Sequence, residues 1–332
     1  MTNDNWLSNI KKTIAKSMSI NDDIYICNTQ YELYNLIIFS MIKAFSLVVK
    51  TPYILCSNIE HPYIIEILDK YEKAGMVLLS YINADINGYI QPIEVEKHIN
   101  SKNGSICLVI ISLLNYMIGS KNDIKSISEL VHKHKIPLFS DCIYSYGRTI
   151  PNQFDLIDLY TICINNIYTL IIKKELLTGY KLYMYHPLFQ NNDKMVNLNY
   201  DKHTLSQYFK DTSYPKIINL DKRVLALNKL LLNLIKKKNN VIYYEDIVKN
   251  NIIPKDNDIV LFGDNKAIPN IMSFMYNDLT KIKKLKKQNI VVNTDTRLFE
   301  NIGIKKKFIN KIITILLDNA TKSDITDFVK LF

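Results

Sequence analysis

Several polar side chains able to do chemistry stand at or just past the ends of apolar runs in this sequence. Asp141 closes the run Ile136-Pro-Leu-Phe-Ser-Asp, and Tyr144 and Gly147 follow at a short turn. His61 separates a run ending at Cys56 from an amphipathic stretch over 61–74. Asn115 and Asn122 follow the apolar run 106–114, and Asn165 and Asn166 follow the run 159–164. A carboxylate accepts N–H donors, an imidazole stacks on a ring or moves a proton, and an amide can donate and accept. Each residue also has a purely structural role open to it. Asp141 suits a cap or turn, His61 suits a helix cap or a packing position, and the asparagines belong to an asparagine-rich chain. His132 and His134 are two apart on a helical pattern, which points them to different faces and argues against a metal pair. The cysteines at 27, 56, 107, 142 and 163 contain no Cys-x-x-Cys and no Cys/His metal spacing. Their plain reading is buried, reduced thiols in a cytosolic protein.

The elements that would position these residues follow from hydrophobic periodicity. Short apolar runs over 24–27, 51–56, 76–82, 106–114, 138–141 and 159–164 read as strands. Helical patterns occupy 32–50, 61–74 (with Gly75 just past the end), 92–99 and 126–134. Continuous apolar strands separated by helices predict an α/β domain with a mostly parallel sheet covered on both faces. Ligand sites are then expected at the carboxyl ends of the strands. Past roughly residue 190 the texture changes. A long helix over 216–238 precedes short strands over 241–244, 259–262, 271–274, 290–292 and 308–317, and a closing helix over 323–331. That is a smaller α+β unit. The expected division is 1–200 and 201–332, with a soft boundary near 190–215.

Composition bounds the function. The 332 residues are 48% hydrophobic and 22% charged, ordinary for a globular chain with a substantial core. Only 8 are glycine, so phosphate-cradling loops that depend on close backbone approach have little to draw on. No uncharged apolar run is long enough to span a membrane, and no apolar leader segment is apparent at the N-terminus, so the expectation is a soluble, cytoplasmic protein. The net charge of +10 is concentrated late, at 236–238, 281–287 and 305–307. Nucleic-acid binding through these lysines is one reading, and a solvated helix face is the other.

Six segments, in order, resemble the NifS-like cysteine desulfurases of the class V aminotransferase family. Ser57-Asn-Ile-Glu-His61 resembles the family's Glu-His turn. Asp85-Ile-Asn-Gly-Tyr-Ile90 resembles its Asp-x-x-Gly-x-Ile turn. The segment from Ser112 to Ile124 resembles Asn-Asn-Glu-x-Gly-x-x-Gln-Pro-Ile. Ala267-Ile-Pro-Asn-Ile-Met-Ser-Phe274 resembles Leu-Pro-Asn-x-x-Asn-x-x-Phe, and Thr321 to Phe328 resembles the closing Thr-x-x-Glu-Ile-Asp helix. The sixth is the strand ending at Asp141. The resemblance implies the fold-type I architecture of pyridoxal phosphate (PLP) enzymes, a homodimer with sites built across the subunit interface, and PLP as cofactor. By position it implies that His61 stacks on the pyridine ring and Asp141 pairs with its nitrogen, with Asn115, Tyr144 and Asn165 as further cofactor neighbours.

The departures fall on the chemistry. The lysine that would form the Schiff base corresponds to Asn166, and an amide cannot form that bond. The histidine before it corresponds to Asn165, and the glutamine that would bond the ring oxygen to Tyr144. The Gly-Pro-Lys-Gly-x-Gly loop is absent, and the apolar run is expected to continue straight on as Ile167-Tyr-Thr-Leu-Ile-Ile-Lys-Lys174. The Ser-Gly-Ala-Thr-Glu phosphate turn corresponds to Asn28-Thr-Gln-Tyr-Glu32, where Gln30 and Tyr31 replace a small pair. No thiol lies in 293–298, where the nucleophilic cysteine belongs, and the substrate-binding arginine falls near Ile313. The expectation is a catalytically degenerate, NifS-like binding or scaffold protein with an unidentified protein partner. The general character is similar to the divergent NifS-like proteins of large DNA viruses, which would place it in a host cytoplasm. The alternative is a working PLP enzyme acting on an amino acid through an unrecognised lysine, with Lys173 and Lys174 as the nearest candidates.

Overall fold

A computed structural model of the chain describes residues 3–27, 29–102, 104–146, 151–164, 167–179, 222–255, 258–263, 271–292, 294–317 and 320–331. The first half builds a seven-stranded sheet from β1 (Asp23–Cys27), β2 (Tyr53–Ser57), β3 (Leu78–Ile82), β4 (Ile106–Ile110), β5 (Leu138–Asp141), β6 (Leu159–Ile164) and β7 (Ile167–Ile172). Their spatial order is β1-β7-β6-β5-β4-β2-β3. The pairs from β6 through β5, β4 and β2 to β3 are parallel, and β7 runs antiparallel to both β6 and β1. β4 is buried at every position, as a strand covered on both faces must be.

Helices α1 (Asn3–Met18), α2 (Gln30–Ser46), α3 (Pro62–Lys73), α4 (Pro92–Asn100) and α5 (Ile124–Lys133) flank this sheet. Two apolar cores result, one on each face. The first contains Ile24, Leu55, Val109 and Ile127, and the second Tyr34, Ile37, Ile54, Leu108 and Phe139. α2 begins at Thr29, whose side chain accepts from the Glu32 N–H, a serviceable N-cap. It buries Leu33, Tyr34, Ile37, Ile38 and Met41.

After α6 (Lys174–Gly179), the second half adds α7 (Lys222–Lys238), β8 (Asn240–Tyr243), α8 (Tyr244–Asn250), β9 (Asp258–Leu261), β10 (Ile271–Tyr276), α9 (Leu279–Leu285), β11 (Val291–Val292), α10 (Thr296–Asn301), α11 (Lys306–Ile309), β12 (Ile312–Leu316) and α12 (Lys322–Lys330). Its five strands order as β11-β12-β10-β9-β8, antiparallel except for β8 with β9. A separate core of Leu231, Phe274, Ile313 and Phe328 packs on it. The expected architecture, a mostly parallel sheet flanked by helices followed by a smaller mixed unit, is the one observed. The region in which a boundary is expected, 190–215, lies outside the described residues.

Three sequence expectations need correction. The apolar run after β6 does not continue straight on: Ile164 pairs with Ile167 and the chain returns antiparallel along β6. Hydropathy registers burial and is blind to reversal, so one apolar run can hold two strands. The strand expected over 106–114 ends at Ile110, and 111–114 stay buried without strand pairing on both sides. The strand expected over 308–317 divides into α11 and β12, separated by the turn at Asn310.

Among the described residues no helix is long and apolar enough to cross a membrane. The turn that follows β3 is locked onto the loop that follows β4. Gly88 has a φ of +80°, and its carbonyl accepts from the Ser120 hydroxyl at 2.8 Å. A Cβ at Gly88 would lie 2.8 Å from Ser120 Oγ and 3.0 Å from Ile118 Cδ1. Gly88→Ala therefore adds a clash to backbone strain, and urea denaturation should find it less stable by roughly 1–3 kcal/mol.

Candidate functional site

The neighbouring parallel strands β2, β4 and β5 bring the sequence candidates to one end of the sheet. His61 follows β2, Asn115 follows β4, and Asp141 is the last residue of β5. This is the carboxyl end, where an open α/β sheet leaves its crevice.

Asp141 is 4% exposed and faces Thr161 across the β5–β6 pair. Its Oδ1 accepts the Thr161 hydroxyl at 2.6 Å and the Ile143 N–H at 3.1 Å. Its Oδ2 accepts the Tyr34 hydroxyl at 2.6 Å. Tyr34 comes from α2 and is fully buried. Burial first, and then the Asp141 charge, push its phenol well above the ordinary range, so it stays protonated as the donor. The same hydroxyl accepts from Gln30 Nε2 at 2.5 Å.

His61 Nδ1 accepts the Tyr63 N–H at 3.2 Å, capping α3. That bond places the imidazole proton on Nε2. Burial lowers its pKa, against the pull of Asp141 and Asp295. Four tyrosines surround the ring: Tyr34, Tyr63, Tyr116 and Tyr144 have centroids at 5.7, 5.0, 5.2 and 6.4 Å, with Tyr144 stacked at 19°. The two roles open to His61, cap and ring partner, are thus both in use, on its Nδ1 and its faces. Asn115 shapes its own loop. Its Oδ1 accepts the N–H groups of Met117 and Ile118 at 2.9 Å each, and its Nδ2 donates to the Ile59 carbonyl at 3.3 Å. Asn122 likewise ties the Ile90 N–H to the Ser112 carbonyl, at 2.8 Å each. Asn165 and Asn166 lie outside the described residues.

The site also uses residues that sequence reasoning missed. Glu60 is fully enclosed, accepts from Ser57 Oγ at 2.7 Å and the Ser112 N–H at 2.8 Å, and forms a short bond with Ser112 Oγ. Arg297, from α10, donates to the Glu60 carbonyl at 2.8 Å, and Asn301 donates to the Asn58 carbonyl. The Tyr116 hydroxyl bonds Asp295, which caps α10. Ser273 on β10 donates to the Met117 carbonyl at 2.8 Å. The second sheet is thereby fastened over the strand ends of the first. A cavity of about 610 Å³ remains between them, lined by His61, Tyr63, Tyr116 and Tyr144 on one side and Asp295 and Thr314 on the other. Glu60 carried the one available signal, a charged residue in the Ser-Asn-Ile-Glu-His turn.

Other candidates lie elsewhere. Lys173 and Lys174 follow the far end of β7: Lys173 approaches Asp158 at 3.9 Å and Lys174 donates to Asn21 at 2.9 Å. Because Ile172 pairs with Leu159 rather than Ile164, they stand at the opposite end of the strands from Asp141. His132 bonds Asp158 at 2.7 Å, and no cluster able to hold a metal occurs among the described residues. Cys27, Cys56, Cys107 and Cys142 are buried, and burial pushes the Cys142 thiol up to about 12, so it is not an activated nucleophile.

Residues 4–155 match the class V aminotransferase family. The chain is 26% identical over 160 residues to the cysteine desulfurase IscS of Dictyoglomus turgidum, a stretch covering 48% of this chain and 39% of that relative. It therefore spans well under half the length of this curated relative. Its fold superposes on a NifS-like protein from Rickettsia africae with a TM-score of 0.76 at 19% identity, covering 99% of this chain and 87% of the other. A cysteine desulfurase from Thermococcus onnurineus superposes with a TM-score of 0.68 at 12% identity, covering 98% and 82%. The chain has a divergent NifS-like fold. PLP is the cofactor this likeness implies, so its fit can be judged on the residues present. A NifS-like site would offer the free Oδ of Asp141 to a pyridinium N–H and a face of His61 to its ring. Here both Asp141 oxygens already accept protein donors, and the Oδ2 donor is Tyr34, whose ring also contacts His61; neither Asp141 nor Tyr34 lines the cavity. The residues present do not fit the cofactor.

The NifS-like turn also carries a pH response. Burial raises the Glu60 carboxyl to about 7, outweighing the three donors that favour its charged form. A carboxyl raised on folding contributes stability present below its unfolded value and lost as pH rises through the folded one. The contribution of Glu60 is thus expected to fade between about 4.5 and about 7. Glu60→Gln keeps the acceptor for Ser57 and Ser112, and its thermal melts should lose that part of the pH dependence.

Proposed function

We propose that this NifS-like chain is not a PLP-dependent desulfurase and works by binding, as a scaffold or accessory protein. One observation carries the reading: the Asp141 carboxylate that would orient a pyridine nitrogen accepts from Thr161 and the Ile143 N–H on Oδ1, and on Oδ2 from the fully buried Tyr34 hydroxyl. Asn166 at the position of the Schiff-base lysine, and the absence of any cysteine after Cys163, point the same way. A homodimer in the cytoplasm, as the resemblance implies, is part of the proposal, and so is a protein partner engaging the surface around the interlobe cavity. Purified protein mixed with PLP should show no new band near 420 nm that borohydride reduces, and peptide mapping should find no modified lysine. A reducible adduct on one lysine would replace this reading with that of a working enzyme on an amino acid.

A second reading, polyanion binding, has one specific support. The Lys286 ammonium donates to the Asn310 carbonyl at 3.3 Å, tying the segment that exposes Lys283, Lys284 and Lys287 to the one that exposes Lys306 and Lys307. Replacing Lys283, Lys284 and Lys287 with Gln should lessen the salt dependence of retention on DNA by roughly 0.9 for each phosphate no longer neutralised. Equal retention of both forms at every salt concentration removes this reading.

A further inference from the structure

The position between Asp141 and His61 already holds a ring, and it belongs to the chain. Tyr34 reaches Asp141 Oδ2 with its hydroxyl at 2.6 Å, and its ring lies 5.7 Å from His61 and 6.3 Å from Phe139. The Tyr34 ring is tilted 51° to His61, and a pyridine directing its N–H to Asp141 would meet the phenol at the carboxylate. We propose that Tyr34 is an internal stand-in for that ring, and that it is the residue which keeps a pyridine in the cleft from reaching Asp141. This rests on the non-catalytic reading above and names what shuts the cofactor out.

Three features make the closure a fixed part of the fold. Tyr34 lies on the face of α2 that also buries Leu33, Ile37, Ile38 and Met41, so its ring cannot swing out without lifting the helix from the sheet. Its hydroxyl is held from both sides, donating to Asp141 and accepting from Gln30. Gln30 belongs to the turn that the family resemblance assigns to a phosphate, and here its amide is directed at the tyrosine. The bond between Tyr34 and Asp141 closes a chain of contacts from the start of α2 through β5 to Thr161 on β6. A bound ring would make the same crosslink from outside the chain, and Tyr34 supplies it from within.

The probe is 3-hydroxypyridine, which has the ring, the nitrogen and a hydroxyl but no aldehyde, so its binding does not depend on any lysine. The full chain, Tyr34→Ala and Tyr34→Leu are titrated by ligand-observed NMR, with circular dichroism as the check on folding. The natural chain should take up no probe saturably. Tyr34→Ala should bind at least tenfold more tightly, with a matching rise in Tm, and adding Asp141→Asn to it should weaken the gain. Tyr34→Leu keeps an apolar filler on α2 and decides the matter if the alanine variant does not fold. It should also bind better than the natural chain. Folded variants that bind no better than the natural chain overturn the proposal, as does saturable binding by the natural chain that Asp141→Asn abolishes. Neither outcome bears on whether a lysine can be modified by PLP, so a reducible adduct would sink the functional reading separately.

Discussion

The hydrogen bond from the Tyr34 hydroxyl to the Asp141 carboxylate is the constraint around which the first lobe is organised. A carboxylate enclosed at the end of a central strand has lost its water and must find donors within the protein. Asp141 has no cationic partner among the bonds described, and it uses three neutral donors instead. Hydrogen bonds to charged groups contribute about 1.5–3 kcal/mol each, and leaving one unmade inside the protein costs more than making it gains. That asymmetry fixes Tyr34 inward. With it come the register of α2 against the sheet and the position of Gln30 at the helix start. The buried flank of α2 is thus set by a polar contact between residues 107 apart in sequence, as well as by apolar packing.

The second constraint is the Glu60 turn, which converts the end of one strand into a platform for the other lobe. Ser57 at the end of β2 and Ser112 just past β4 satisfy the carboxyl, leaving the Glu60 and Asn58 carbonyls to accept from α10. Arg297 and Asn301 on α10 dock on those carbonyls, while Asp295 at the head of the same helix meets Tyr116. Three residues within one short helical segment therefore bond the loops that follow β2 and β4, and the position of α10 is defined by direction as well as by burial. A mixed apolar cluster seals the contact, with Ile59 and Tyr116 from the first lobe against Phe262, Met275 and Leu298 from the second.

Much of this is legible in the sequence, for identifiable reasons. The continuous apolar runs ending at Cys56, Leu114 and Asp141 announce buried parallel strands, and the rule that ligands gather at strand ends draws His61, Asn115 and Asp141 together. Asp141 and His61 stand out because a polar residue closing an apolar run is conspicuous. Tyr34 does not, because in Leu33-Tyr34-Asn35-Leu36-Ile37 it reads as one more apolar helix position. Its hydroxyl matters only through a partner from a distant strand. Glu60 is hidden in the same way, since a glutamate in a turn is ordinarily solvated and its burial depends on Ser112, which the sequence places far away. The reversal at β7 is illegible to hydropathy, because both strands of that hairpin are equally buried.

One departure from the family pattern, Gln30, is tied on the structure to the bond between Tyr34 and Asp141. An enzyme of this architecture that lost its covalent lysine would retain an acid, a histidine face and a ring-sized gap, and that gap would leave Asp141 short of a donor. An empty polar gap in a core costs free energy through lost packing and an unsatisfied carboxylate. A tyrosine on α2 removes both costs at once: its ring fills space against His61 and Phe139, and its hydroxyl restores the donor. Gln30 then follows, because the buried phenol oxygen gains from a donor of its own. Within this fold one side chain meets both the packing and the hydrogen-bonding needs of the Asp141 end of β5.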